Sequence, residues 1–310
     1  MVDAVEAAVL TPTQERVLSD LMGNGQARPT FDADLASRLR ADLEERLAPV
    51  ATRLGERQLV VHKSALSRVH TCEGHHVAEA EAGFSWSAPA AVGVVAHKAI
   101  ELSVSLAPPD GLAALVDLAI ERIASDVDRG LGAWLAGASE LDRAEVRGGA
   151  IDRALKFEDE FPPIKRAWRP RLESTLLTSL CGDRIVVRGK VDLALGQARG
   201  TTAGVLIVDF KTGKPRRDHT DDLRFYALLE TLRAGVPPFR VASWYLDSGQ
   251  CHPEDVDEAL LQAAARRLVD GARKLCELEI ARRPPILSAG PVCHYCSARH
   301  TCPETADRAL

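Results

Sequence analysis

Arg184-Ile-Val-Val-Arg-Gly-Lys-Val-Asp192 and Val205-Leu-Ile-Val-Asp-Phe-Lys211 are the two stretches whose reading decides the fold. In the first, strand alternation places Arg188, Lys190 and Asp192 on one face and Val187, Val191 and Leu193 on the other. The second is an apolar run, Val205 to Val208, that ends on an acid and a base, Asp209 and Lys211, two residues apart and so on a common face. An uninterrupted apolar run reads as a buried strand, where an unpaired charge is costly. Those charges need partners, and a metal ion is a strong one. The stretch 196–203 between the two strands is rich in turn formers, so they read as a long-looped antiparallel hairpin.

Working outward, Arg171 to Thr178 reads as a strand before the hairpin. A helix from Asp221 to Ala234 follows it, stopped by Gly235 and Pro237. Phe239 to Leu246 is a further strand, and Pro253 to Arg282 a long helix with Val256, Leu260, Ala264, Leu268, Leu275 and Leu278 on one face. Upstream lie a short apolar run at Leu59–His62, a helix toward Cys72, and a helix from Ala90 to about Leu106. Two more helices fall within 110–160, with Ala113, Leu115, Ile120 and Ile123 on one and Ala150, Leu155 and Phe157 on the other. Residues 1–60 read as a helical extension. Thr11-Pro12-Thr13-Gln14 has the form of a capping box before a helix ending near Gly23, and Leu35, Leu39, Leu43 and Leu47 make the apolar stripe of a second helix. The whole predicts an α/β fold: a small mixed sheet flanked by helices over 61–310, with the helical extension in front.

Composition narrows the class. The 310 residues are 46% apolar and 27% charged, an ordinary globular balance. No run of 18 apolar residues exists, which excludes a transmembrane helix. Met1-Val2-Asp3-Ala4-Val5-Glu6 carries acids where a signal peptide needs a basic start, so a cytoplasmic protein with no membrane partner is expected. In that compartment seven cysteines argue against a disulfide framework and toward metal or core roles. A net charge of -5 excludes a protein that coats nucleic acid through global charge; any such substrate must be drawn by a local basic channel. The absence of a G-x-x-x-x-G-K-[ST] loop leaves no recognisable ATPase engine.

The acid pair and the lysine suit phosphodiester hydrolysis. That reaction needs a water made nucleophilic and a highly charged transition state neutralised. Carboxylates hold Mg2+ or Mn2+, and an ammonium beside them orients or stabilises the attacking hydroxide. A plain Asp209–Lys211 ion pair is the bland reading of the same residues. Gly189-Lys190-Val191-Asp192 together with Val208-Asp209-Phe210-Lys211-Thr212-Gly213 resembles the RecB-type nuclease domains of the PD-(D/E)XK superfamily. The likeness runs over roughly residues 60 to 303 and implies a restriction-endonuclease-like core. It gives metal ligation to Asp192, Asp209 and the backbone carbonyl of Phe210, and assistance of the attacking water to Lys211. It also implies a metal-ligating, catalytic histidine on an upstream helix. Gly93-Val-Val-Ala-His97-Lys-Ala-Ile-Glu101 fits, with Glu101 one turn on as a supporting group. Glu173 is a further supporting acid, with an exposed strand residue as its bland alternative.

The C-terminal Cys293-x2-Cys296-x5-Cys302 cluster asks for a metal and a fourth ligand. Cys72 is the natural candidate. The same split, one distant cysteine and a C-terminal trio, occurs in the iron–sulfur members of the resembled family, which implies a [4Fe-4S] cluster. Zinc (Zn2+) competes, with Cys72, His294 or His300 as fourth ligand. Cys181, Cys251 and Cys276 have no partner at ligand spacing and read as ordinary thiols.

The family's Gln-x-x-x-Tyr signature keeps its tyrosine here as Tyr226, but Asp222 stands at the glutamine position. Lys214, Arg216 and Arg217 follow the catalytic strand and are the expected DNA contacts. Lys165, Arg166, Arg169 and Arg171 with Trp168 form a second basic group. The expectation is a divalent-metal-dependent deoxyribonuclease, exonucleolytic rather than endonucleolytic. It would act on single-stranded DNA or DNA ends in repair or recombination, with a separate helicase or repair protein as a partner. An inactive nuclease fold serving as a DNA-binding subunit is the alternative, and a zinc-stabilised enzyme of another class a third.

Overall fold

The computed structural model describes residues 9–106, 111–126 and 130–305. Six strands form one mixed sheet: β1 (Leu59–His62), β2 (Arg171–Leu180), β3 (Ile185–Gly196), β4 (Val205–Lys211), β5 (Arg240–Tyr245) and β6 (Cys251–Asp255). The described helices are α1 (Pro12–Met22), α2 (Leu35–Leu54), α3 (Lys63–Thr71), α4 (Glu73–Ala82), α5 (Ala88–Ser105), α6 (Leu112–Ala124), α7 (Gly130–Gly137), α8 (Glu140–Glu160), α9 (Arg217–Ala234) and α10 (Glu258–Glu279). This is the α/β, restriction-endonuclease-like arrangement expected, a mixed sheet between helices.

β3 is the organising strand. β2 runs antiparallel along it from Leu180↔Ile185 to Arg171↔Ala194. β1 pairs parallel with it only over Ile185–Arg188, and β4 antiparallel only over Leu193–Gly196. Residues 185–188 and 193–194 of β3 already have β2 on one side, so β1 and β4 must share the other edge, end to end. Between them, residues 189–192 have no strand partner on that edge. β1 runs with β3 and β4 runs against it, so the C-terminal ends of both point into this gap. Even the β2 ladder is interrupted here, at Glu173 opposite Asp192.

Each face of the sheet carries its own core. Val205 and Ile207 of β4 pack with α2, α3, α9 and α10, whereas Leu206, Val208 and Phe210 pack with α5, α6 and α8. A strand buried on both faces has to be apolar throughout, which explains the Val205–Val208 run. Leu35, Leu39, Leu43 and Leu47 of α2 are fully buried in the first core, as their spacing requires. The Thr11–Gln14 capping box forms, with Gln14 N–H donating to Thr11 Oγ1 at 3.2 Å and Thr11 N–H to Gln14 Oε1 at 3.1 Å.

Several expectations need correction. Cys251–Asp255 is an edge strand rather than the start of the last helix. Pro253 is tolerated there because β6 pairs with β5 alone, and α10 starts only after Asp257 caps Leu260 N–H at 2.7 Å. α9 begins four residues earlier than its apolar pattern suggests, at Arg217. Three helices rather than two are described within 110–160, and Leu155 is exposed. The expected start of the first of them at residue 110 lies outside the described residues. Leu193 faces the second core while Val187 and Val191 face the first, because β3 changes sides at the Asp192 interruption.

Gly189 lies where this gap meets α9. A Cβ there would sit 2.7 Å from Cε1 of Tyr226, a fully buried ring that would have to move. Gly189→Ala is expected to lower the unfolding free energy by about 1–3 kcal/mol, measured by denaturant titration. An unchanged midpoint would show that α9 is free to shift.

Candidate functional site

The gap in the β3 edge opens into a cavity of about 770 Å3. Its floor carries Asp192 from β3, Asp209 and Lys211 from β4, and Lys63 from the first residue of α3, directly after β1. α5 closes one side with His97 and Glu101, and Tyr226 of α9 backs the other. The register explains the meeting. Continuing the Leu193↔Val208 pairing by one residue would set Asp192 opposite Asp209. The ladder stops there instead, and the Phe210 N–H donates to Asp192 Oδ2 at 2.7 Å. A side chain thus takes the place of a strand carbonyl and fixes the Asp192 carboxylate. α5 comes close enough to deliver His97 because Gly93, one turn earlier, lies against the Thr212 side chain; a Cβ would be 3.3 Å from Thr212 Oγ1.

Two sub-sites are distinguishable. In the first, ligand atoms of His97, Glu173 and Asp192 all lie within 4.8 Å of one another. His97 Nδ1 is 3.5 Å from Asp192 Oδ1, and its ring packs edge-on against Phe210. Glu173 holds a backbone φ of 49°, a left-handed conformation unfavourable for a side chain without glycine's freedom. It sits at the β2 ladder interruption and also pairs with Lys190. Burial would push the His97 imidazolium down. The carboxylates of Asp192, Asp209 and Glu173 outweigh burial and hold its pKa above the ordinary value.

In the second sub-site, Asp209 is 2% exposed and meets two ammonium groups. Lys211 Nζ lies 2.6 Å from its Oδ2 and Lys63 Nζ 3.4 Å from its Oδ1. The Lys211 contact is close but poorly aligned, so Asp209 Oδ2 has no true hydrogen-bond donor. Asp222 Oδ2 accepts from Lys211 at 2.9 Å and lies 3.5 Å from Lys63. Two acids and two lysines therefore alternate in a buried square. Burial would raise the Asp209 carboxyl, but Lys211 and Lys63 prevail and keep it ionised, below its usual range. Both lysines are held above theirs: burial opposes this, and the facing carboxylates outweigh it. Burial, then Asp209 and Asp192, push the Tyr226 phenol upward.

Those donors fit a divalent cation. An imidazole and two carboxylates converge without a cation of their own other than Lys190 at the rim. Beside them lies the buried Asp209 carboxylate, its charge met by Lys211 and Lys63. Mg2+ and Mn2+ take oxygen-rich sites of this kind. Asp209, expected among the ligands, lies outside the 4.8 Å group and against the lysines, with Glu173 in its place. Glu101 lines the cavity but is engaged by Lys98 at 2.7 Å. Lys214, Arg216 and Arg217 are exposed beyond the strand end and do not line the cavity; Arg216 is tied to Asp218 at 3.0 Å. Sequence reasoning missed Lys63. It stands alone after a four-residue strand, and only the shared edge of β3 brings that strand end to Asp209.

Cys72, Cys293, Cys296 and Cys302 line a separate cavity of about 200 Å3, and all are free thiols. Among the described residues, no three cysteine sulfurs lie within 4.8 Å of one another. His294 and His300 are exposed and do not line this cavity. Burial raises Cys251 to about 12 and also lifts Cys181, Cys276 and Cys296.

Residues 63–303 match the PD-(D/E)XK nuclease superfamily, and the chain belongs to that superfamily. No curated protein sequence gives a match. Among solved structures, the chain is similar to SSO0001 at 15% identity and a TM-score of 0.39, over 86% of this chain and 94% of that one. It is also similar to a provisionally assigned exonuclease from Eubacterium rectale at 11% identity and a TM-score of 0.47, over 84% and 91%. Nucleases of the superfamily use divalent metals. No helix among the described residues is long and apolar enough to cross a membrane.

Lys63→Met tests the buried square. Asp209 and Asp222 would then share one ammonium. After solvent screening of a residue 31% exposed, the expected loss is about 1–2 kcal/mol of unfolding free energy in metal-free buffer. A denaturant midpoint equal to wild type would mean that the Lys63 ammonium is held by water rather than by the acids.

Proposed function

We propose that this protein is a divalent-metal-dependent nuclease that hydrolyses DNA phosphodiesters, acting on single strands or DNA ends. The observation that carries the reading is the meeting of His97, Glu173 and Asp192 within 4.8 Å, directly beside Asp209 and Lys211. A cavity of about 770 Å3 is in the size range of small-ligand sites, so it suits a nucleotide or two of a strand better than a duplex. This favours single-stranded or frayed DNA and a role in end processing during repair, with unwinding left to a separate helicase.

His97, Glu173 and Asp192 would hold the ion, with Asp209 and the Phe210 carbonyl as the further ligands the family resemblance implies. A divalent ion bound there would polarise the phosphoryl oxygen and make water a stronger nucleophile. Asp209 would reach such an ion at the cost of its contacts with Lys63 and Lys211. Asp222 gives both lysines a carboxylate to remain against when that happens. Glutamine at this position could not neutralise two ammonium groups, so the aspartate and the second lysine compensate each other. Lys211 Nζ, held between Asp209 and Asp222, presents its charge to the attacking water and the developing phosphoryl charge. Tyr226 keeps its proton and packs the floor under Gly189. Lys214, Arg216 and Arg217 draw phosphate toward the strand end.

Lys211→Ala and Asp192→Asn are each expected to lower single-strand cleavage with Mn2+ or Mg2+ by roughly 100- to 10,000-fold while the fold persists by circular dichroism. Mn2+ binding followed by electron paramagnetic resonance should weaken at least tenfold in Asp192→Asn and His97→Ala. Wild-type protein that binds DNA but never cuts it with any metal would reassign the fold to a binding subunit.

The four cysteines are proposed to hold a [4Fe-4S] cluster. Closed zinc sites, with Zn–S bonds of about 2.3 Å, bring their sulfurs within roughly 3.8 Å of one another. The four thiols line one cavity, and the family resemblance favours iron over zinc there. Anaerobic preparations should contain about four irons and matching acid-labile sulfide per chain. One zinc and no sulfide would overturn the iron assignment.

A further inference from the structure

The sheet carries a second concavity at its opposite end, where β3 finishes and β4 begins. This cavity of about 340 Å3 lies some four residues of β4 from Asp209, roughly 13 Å at strand spacing. Its floor is apolar and made by core residues, among them Leu21, Phe161 and Leu206. Trp168 forms one wall, and Arg28, Arg169 and Arg199 surround the opening. None of the lining residues is acidic, although the chain holds 44 acids against 39 lysines and arginines.

The described partners of these arginines are neutral. Arg28 donates to the Met22 carbonyl at 3.0 Å and lies 3.4 Å over the Phe239 ring. Arg169 bonds the Gln197 side chain and sits at a φ of 52°, which turns it toward the β3–β4 loop. Arg199 is exposed on that loop and has no described side-chain partner. Burial, and then the nearby Arg240, depress the Arg28 guanidinium, and Asp255 offsets this only in part. Lys165 and Arg166 add further charge beside Trp168. Arg171, part of the same basic run, is instead bound to buried Glu230 at 2.8 Å and takes no part.

We propose that this cavity binds a nucleotide, free or as one unit of a strand, with its phosphate against Arg169 and Arg199 and its base over the Trp168 indole and the apolar floor. Guanidinium groups match phosphate through paired donors, and an indole offers a flat surface to any base. An inorganic anion would leave the floor empty, and a neutral apolar ligand would leave the arginines unpaired. The chemistry is independent of the His97–Asp192 cavity.

The test uses the full chain in EDTA, so that no cleavage occurs. Thymidine monophosphate is titrated by calorimetry and a fluorescent oligothymidylate by anisotropy. Trp168→Ala and the double variant Arg169→Ala/Arg199→Ala alter half-buried or exposed side chains, and an unchanged unfolding midpoint confirms that both fold. Each is expected to weaken binding about tenfold, while His97→Ala leaves it unchanged. Binding of the mononucleotide as well as the oligonucleotide assigns a site for free nucleotides, and binding of the oligonucleotide alone assigns a strand anchor. Affinities that neither variant changes, binding removed only by His97→Ala, or inorganic phosphate binding as tightly as the nucleotide would each overturn the proposal.

Discussion

The rest of the structure depends on one edge of β3 being shared by two short strands that do not meet. A strand edge presents N–H and C=O groups that must be satisfied, and here four residues, 189–192, lack a neighbouring strand. Convergent strand ends fill the gap with side chains and one redirected amide, the Phe210 N–H to Asp192. A continuous ladder would have been more regular but would leave no crevice. As in other open α/β sheets, the ligand-sized opening appears where strand order changes beyond the carboxyl ends of the strands. The left-handed backbone of Glu173 belongs to the same break, because it lies opposite Asp192 at the missing rung.

Electrostatics make that crevice demanding. Asp209 is almost wholly buried, and burial alone would neutralise it. Lys63 and Lys211 keep it charged, and Asp222 keeps the two lysines from facing one acid alone. Removing a single member leaves an uncompensated buried charge, which costs far more than the pair itself contributes. Under the proposed function, a bound cation would compete with Lys63 and Lys211 for Asp209.

Much of this was legible in the sequence. The Val205–Val208 run could only be a strand buried on both faces, and its terminal Asp209 and Lys211 had to find partners. The stripe of α2 and the capping box of α1 declared themselves by period and spacing. Legibility failed where a residue's meaning is set by topology. Lys63 follows a strand too short to show periodicity, and nothing local says that β1 ends beside β4. Pro253 fits a helix start or an edge strand equally well in sequence; only the pairing of β6 with β5 decides. Leu193 lies on the face opposite to the one alternation predicts, because the β2–β3 pairing is interrupted at Asp192 and β3 changes sides there.

α3 links the crevice to the cysteine-lined cavity. It is nine residues long, with Lys63 at one end in the crevice and Cys72 following the other end in the cysteine-lined cavity. Gly271 of α10 lets the two helices touch, since a Cβ there would be 2.3 Å from Leu66, and His70 Nε2 lies 3.0 Å from the Arg267 carbonyl oxygen. α10 leads in turn to the segment that carries Cys293, Cys296 and Cys302. Glu73 reinforces the closure from its own side, accepting from Arg283 at 2.9 Å and from the Ile286 N–H at 2.8 Å. A group held by the four cysteines would therefore close a loop of more than two hundred residues, and it would do so at the far end of the helix that seats Lys63 against Asp209.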